Sequence, residues 1–231
     1  MRADDLQQIR ELNIFSGISQ ESFDELMRAS FLQTFPAQME LIHEGEAADF
    51  LHIVVEGCVE LFAQAANRES TMAMVRPVSS FILAAILKDA VYLMSARTNK
   101  KSRILMIPAV SVRAVFDKDP AFSKAMVIEL SNCYRGVVKE HKNLKLRTSV
   151  ERLANRMLRY HQDQQTDTIT LPYDKKILAS NLGMTPENLS RAFNTLKPYG
   201  VKVVGNKVSI TEVEKLIRFA KPTHLIDDQA T

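Results

Sequence analysis

The chain has 231 residues, 46% hydrophobic and 25% charged, which suffices for a packed core in one large domain or two smaller ones. Its longest apolar run, Phe81 to Leu87, is far short of the roughly 20 residues of a membrane span, so a cytoplasmic protein without membrane contact is expected. Two distant cysteines, Cys58 and Cys133, cannot build a disulfide framework, a zinc ribbon or an all-cysteine iron-sulfur cluster from one chain, and the absence of G-x-x-x-x-G-K and G-x-G-x-x-G argues against nucleotide hydrolysis and Rossmann redox chemistry.

A short polar helix is expected from Asp4 to about Leu12, then a second over Gln20 to Ala29, capped by Ser19 and carrying Phe23, Leu26 and Met27 at helical spacing. From Phe31 to about Pro108 the pattern changes to short strands between turns, among them Met39 to Ile42, Phe50 to Val55 and Cys58 to Phe62. Gly45 and Gly57 flank one of these apolar strands at corners that favour a positive φ. This is the pattern of a β-roll or sandwich.

After Asp119-Pro120 a long helix is expected from about Ala121 to Leu146, with Met126, Leu130, Cys133, Val137 and Leu144 at steps of 4, 3, 4 and 7. Such a seam suits the dimerisation helix of a parallel homodimer, and docking on its own domain is the competing explanation. Thr148 with Glu151 forms a capping-box signal for a new helix over about Ser149 to His161, so a hinge is expected near Arg147.

The net charge of +3 is unevenly spread. Residues 1 to 141 carry 15 Lys+Arg against 18 Asp+Glu, whereas residues 142 to 231 carry 15 against 9. A basic segment suits a polyanion, but a solvated basic face looks the same until a motif accompanies it.

That motif runs from Leu171 to Leu196. Asp174 can cap a helix whose apolar face is Ile177, Leu178 and Leu182; Gly183 makes a tight turn; Thr185 and Pro186 fit the N-cap and first position of the next helix. In that second helix Leu189, Phe193 and Leu196 face inward, leaving Glu187, Asn188, Ser190, Arg191 and Asn194 on other faces. Arginine can bind guanine O6 and N7, and glutamate can accept from cytosine N4, so this helix-turn-helix can read a major groove. Val201 to Val204, the Gly205-Asn206 turn and Lys207 to Ile210 then form a hairpin wing, and Thr211 with Glu214 suggests a capped closing helix.

The order of β-roll, long helix and winged helix-turn-helix resembles the CRP/FNR superfamily of bacterial transcription regulators over nearly the whole chain. Glu44-Gly45-Glu46 and Val54-Val55-Glu56-Gly57-Cys58-Val59 are similar to that family's β-roll turns, and Glu187-Asn188-Leu189-Ser190-Arg191 resembles the E-x-x-S-R pattern of its FNR branch. The resemblance implies an α+β fold: a cyclic-nucleotide-binding-like sensor over 1–119, a dimerisation helix and hinge over 120–147, and a DNA-binding domain over 148–231. It implies a homodimer on double-stranded DNA, with RNA polymerase as a further partner. Glu187, Ser190 and Arg191 would read bases in a palindrome related to TTGAT and ATCAA separated by four bases, and Lys175, Thr185 and Lys207 match phosphate-contacting positions.

Cyclic-nucleotide members of the family carry Gly-Glu-Leu and, some ten residues on, an arginine that neutralises the cyclic phosphate. The matching stretch here, Phe81 to Ala96, has neither that arginine nor the ribose-binding glutamate, and Arg97 and Arg103 fall beyond it. No cyclic nucleotide is therefore expected. The apolar replacement looks most like the nitric-oxide-responsive DNR/NnrR group, which implies haem b, with His43, His52 and His141 as candidate axial ligands. Cys58 is better read as a buried core thiol. Two alternatives remain open: a ligand-independent regulator controlled by its abundance, and, far less favoured, a cupin-type metal enzyme, against which His43 and His52 stand nine residues apart and form no His-x-His pair.

Overall fold

The computed structural model describes residues 1–66 and 68–228. The chain forms two compact units, Met1–Cys133 and Tyr134–Thr231, which divide inside the long helix that the sequence set apart as residues 120–147.

In the first unit, helices α1 (Ala3–Arg10) and α2 (Gln20–Arg28) precede strands β1 (Phe31–Phe35), β2 (Glu40–Ile42), β3 (Phe50–Glu56), β4 (Val59–Ala65), β5 (Arg68–Val75) and β6 (Ser79–Phe81). A short helix α3 (Leu83–Lys88) leads to β7 (Ser95–Thr98) and β8 (Ser102–Pro108), followed by helices α4 (Ala109–Lys118) and α5 (Pro120–Leu146). The strands form two antiparallel four-stranded sheets, ordered β1-β8-β3-β6 and β2-β7-β4-β5. Leu51 and Ile53 of β3, Val59 and Leu61 of β4 and Leu105 and Ile107 of β8 alternate into one apolar core, which Phe15, Phe23 and Leu26 complete from the helical N-terminal segment. Ser19 caps α2 by accepting from Ser22 N, as its position before the apolar helix predicts.

Gly57 turns β3 into β4 with φ +100, and a Cβ there would lie 2.2 Å from Ser102 Oγ. That hydroxyl accepts from Cys58 N at 3.0 Å and donates to Lys100 O at 2.7 Å, so the corner is tied to β8 and only glycine fits it. Asp119 initiates α5: its carboxylate accepts from the amides of Ala121 (3.0 Å), Phe122 (3.1 Å) and, across the chain, Ser19 (3.1 Å), while Pro120 supplies a first helical residue that has no amide to satisfy.

The structure corrects the expected seam of α5. Met126 is completely buried, packed with Phe122 into the core of its own unit, and cannot meet a second copy. The exposed apolar stripe is instead Val127, Leu130, Tyr134, Val137 and Leu144, at steps of 3, 4, 3 and 7. Cys133 is exposed next to that stripe, and His141, also exposed, falls at the position that would complete it. The helix thus carries two apolar faces, one used at home and one uncovered.

The second unit contains the end of α5 and α6 (Ser149–Gln164), β9 (Thr168–Thr170), α7 (Lys175–Asn181), α8 (Pro186–Leu196), β10 (Val201–Val204), β11 (Lys207–Ile210), α9 (Val213–Ala220) and α10 (His224–Asp227). Its core joins Leu153 and Met157 of α6 to Leu178, Leu189, Phe193 and Val208. Thr148 and Glu151 form the expected capping box. Two features differ from expectation. The wing is a three-stranded sheet, β10-β11-β9, because Thr168–Thr170 pairs with β11. Thr211 does not cap α9: its hydroxyl donates to Gly200 O at 3.2 Å, and Glu212 stands at the N-cap without a side-chain bond.

Candidate DNA interface and sensor site

Helices α7 and α8 are set by their first residues. Asp174 accepts from Ile177 N at 2.8 Å to start α7, and Thr185 accepts from Asn188 N at 3.3 Å to start α8, with Pro186 at the first helical position. Between them Gly183 has φ +63, and a Cβ there would stand 3.0 Å from Leu144 Cδ2 of α5. Arg152 of α6, only 9% exposed, holds the same turn: its guanidinium donates to Leu182 O at 2.9 Å, to Gly183 O at 3.4 Å and to Arg147 O at 2.8 Å. Burial lowers its pKa but cannot neutralise a guanidinium, so the charge is spread over three carbonyls. Sequence reasoning missed Arg152; the available signal was a cation directly beside Leu153 on the apolar face of an amphipathic helix.

Along α8, Leu189, Ala192, Phe193 and Leu196 are buried, whereas Glu187, Asn188, Ser190, Arg191 and Asn194 are exposed. Glu187 and Arg191, four residues apart, share one face. The Glu187 carboxylate is held below its usual range by its own backbone N–H, then by the Thr185 hydroxyl and Arg191, so it is a standing hydrogen-bond acceptor. The Ser190 hydroxyl donates to Pro186 O at 3.1 Å and retains acceptor capacity. Lys175 at the start of α7 and Lys207 at the wing turn are exposed. The structure therefore presents Glu187, Ser190 and Arg191 together on one helix and places Lys175, Thr185 and Lys207 at exposed positions of the same unit.

The first unit disposes of its charges differently. Arg97 on β7 donates to Glu60 at 2.9 Å and to Glu69 at 2.6 Å, and its guanidinium lies 4.2 Å from the Phe62 ring centroid. Glu60 is 1% exposed, and its other oxygen accepts from Thr71 at 2.5 Å. Glu69, with Glu60, holds Arg97 firmly in its charged form. Arg103 pairs with Asp5 and with Glu56. Beside α3, Glu129 of α5 accepts from Ser80 Oγ at 2.9 Å and lies 3.4 Å from Ser80 N, which puts a carboxylate at the strand that leads into that helix.

The three candidate haem ligands are in different surroundings. His43 is exposed, with Nδ1 3.4 Å from Glu40, and His141 is exposed on α5. His52 is 2% exposed, stacked on Phe81 at 5.2 Å with Phe50 at 6.5 Å, and neither ring nitrogen has a hydrogen-bond partner among the described residues. Burial lowers its pKa to about 4 against an opposing contribution from the Phe50 backbone, so the imidazole is neutral. His52 alone has the apolar setting and uncommitted nitrogen that an iron ligand needs; His43 and His141 lack that enclosure. Among the described residues no group of three or more His, Cys, Asp or Glu side chains could hold a metal ion. Cys58 is buried, in keeping with a core thiol.

Residues 32–119 match the family of cyclic nucleotide-binding domains, and residues 151–219 match Crp-like helix-turn-helix domains. The chain has the fold and domain order of a CRP/FNR-type transcription regulator. Solved structures agree with it over nearly their whole length. A regulatory protein of Silicibacter pomeroyi DSS-3, to which cAMP binding is attributed, is 26% identical with a TM-score of 0.60, covering 94% of this chain and 100% of that one. A transcriptional regulator assigned to the Crp/Fnr family in Eubacterium rectale ATCC 33656 shares the fold with a TM-score of 0.76 at 14% identity, covering 91% and 99%. So does the c-di-GMP-responsive global regulator CLP of Xanthomonas campestris, with a TM-score of 0.71 at 16% identity, covering 83% and 99%. No curated protein matches the chain. The matched domains and solved neighbours are those of regulators, not enzymes, and the helix-turn-helix implies binding to double-stranded DNA. Among the described residues no helix is long and apolar enough to cross a membrane.

Proposed function

We propose that the protein is a homodimeric, cytoplasmic regulator that reads an FNR-box-like palindrome. Glu187, Ser190 and Arg191 read base edges, Lys175, Thr185 and Lys207 contact phosphates, and RNA polymerase is the partner at the promoter. The observation that carries this reading is the exposed Glu187-Arg191 face of α8, a carboxylate acceptor and a guanidinium one turn apart over a fully apolar underside. The uncovered stripe Val127, Leu130, Tyr134, Val137 supplies the dimer contact in a parallel pair, which sets two recognition helices roughly 34 Å apart, one turn of DNA.

The effector reading follows from the sensor. Arg97 and Arg103 are engaged by carboxylates and Glu129 stands beside Ser80, an arrangement that disfavours a cyclic phosphate and supports an apolar or haem-type effector. His52 is the residue that would hold haem b, whose iron supplies binding of nitric oxide or carbon monoxide. The Glu129-Ser80 contact also favours a second reading, a regulator without ligand, because it joins α5 to the sensor with a protein carboxylate in place of an effector. Anaerobic haem titration, followed by nitric oxide and by operator binding, separates the two. A saturable band at one haem per subunit that is lost in His52→Ala supports haem control; DNA binding with no such band supports ligand-free control.

A further inference from the structure

The joint between α5 and α6 is tied to the end of the chain. Arg147, at the break between the helices, has a side chain 7% exposed and donates to both oxygens of Asp227 at 2.7 and 2.6 Å, and also to Asn143 Oδ1 at 3.2 Å. Asp227 also accepts from Thr223 N at 2.7 Å, and Lys139 of α5 donates to Asp228 O at 2.7 Å. Against the cost of burial, Arg147 and the Thr223 amide hold the Asp227 carboxyl below its usual range. The tail is not packed along its length: a cavity of about 750 Å³ lies between it and helices α6 and α9, lined by Leu158, Ile217 and Pro222, and Leu225 is 58% exposed. Directed charge-assisted bonds anchor the tail, and its attachment can open without breaking a core.

The same joint touches the helix-turn-helix turn. Arg152 donates to Arg147 O on one side and to Leu182 and Gly183 O on the other, and Leu144 abuts Gly183. Arg147 and the tail residues 222–228 lie outside residues 151–219 of the matched helix-turn-helix domain. We propose that residues 222–228 are a clamp on the α5-α6 joint, which fixes the turn before α8 and thereby tunes DNA affinity. The second half of this inference rests on the DNA-binding reading above; the first does not.

Amide hydrogen exchange of the full chain tests the clamp without DNA. In Asp227→Asn, and in a chain ended at Lys221, amides of residues 143–152 should exchange about tenfold faster or more, while those of Leu189–Leu196 keep their rates. Arg147→Lys, which keeps the charge and loses the paired geometry, should fall between. Operator affinity should weaken about threefold to thirtyfold in the same variants. Unchanged exchange at 143–152 in both variants overturns the clamp. Faster exchange with unchanged operator affinity overturns its coupling to DNA. Wild-type protein that binds no palindrome contradicts the DNA reading alone, and the exchange data still decide the clamp.

Discussion

The sheets of the first unit and helix α8 of the second handle charge in opposite ways. Among the described residues of the first unit, Arg97, Arg103 and Arg113 each pair with a carboxylate, and His52 alone has fully buried side-chain nitrogens without a hydrogen-bond partner. In the second, α8 keeps Glu187 and Arg191 at the surface over an apolar underside, and lysines stand at the wing and at the start of α7. Charges left accessible on a helix can meet an outside partner, whereas cations already held by carboxylates have little left to offer an anion. This difference in charge disposition can be broken one side chain at a time.

The largest effect is expected in the sensor. Arg97→Ala strands the carboxylate of Glu60 in the protein interior, and removing one partner of a buried pair should cost about 3 kcal/mol or more in urea unfolding of the sensor. A loss below about 1 kcal/mol would mean that Glu60 finds water or another partner. His52 gives a comparable effect that depends on pH. Its folded pKa of about 4 lies below the unfolded value of 6.5, so the unfolded chain binds the extra proton between those values. Stability should be unaffected by this group above about pH 6.5 and fall by up to about 3 kcal/mol as pH drops to 4, and His52→Leu should remove that part of the slope. Parallel pH profiles for the two proteins would contradict a buried neutral imidazole.

In the DNA-binding unit the effects are smaller and appear in affinity. Arg191→Ala should cost about 1–3 kcal/mol on the palindrome and little on random DNA, whereas Lys207→Ala should weaken both alike and reduce the salt slope by about one. Equal losses of Arg191→Ala on both sequences would remove it from base reading. The smallest effect is Thr185→Ala, which loses the cap on Asn188 N and should lower thermal stability by about 1 kcal/mol.

The same contrast explains what could be read from the amino-acid sequence. The helix-turn-helix was legible because its determinants are local: Asp174 and Thr185 cap within three residues, and Leu189, Phe193 and Leu196 fall at helical spacing. The α5 seam was only partly legible. Two apolar faces share the helix, and periodicity alone does not tell that Phe122 and Met126 turn into their own core while Val127 and Tyr134 stay uncovered. Glu129 and the Arg147-Asp227 pair were not legible, and Arg152 was legible only as a cation on an apolar face without its partners, since they act on groups 49, 80 and 30 residues away, and sequence pattern carries no record of such distances. The third wing strand was missed for a milder reason: Thr168–Thr170 is too short to show alternation.

The central claim is that α8 reads sequence in the major groove, and equilibrium binding of the purified protein to the TTGAT/ATCAA palindrome and to a scrambled duplex, at several salt concentrations, tests it most directly. The account predicts a specific complex at least about a thousandfold tighter than the scrambled one, with Arg191→Ala collapsing most of that ratio. Equal affinity for both duplexes in the wild-type protein, with a shared salt slope, would contradict it.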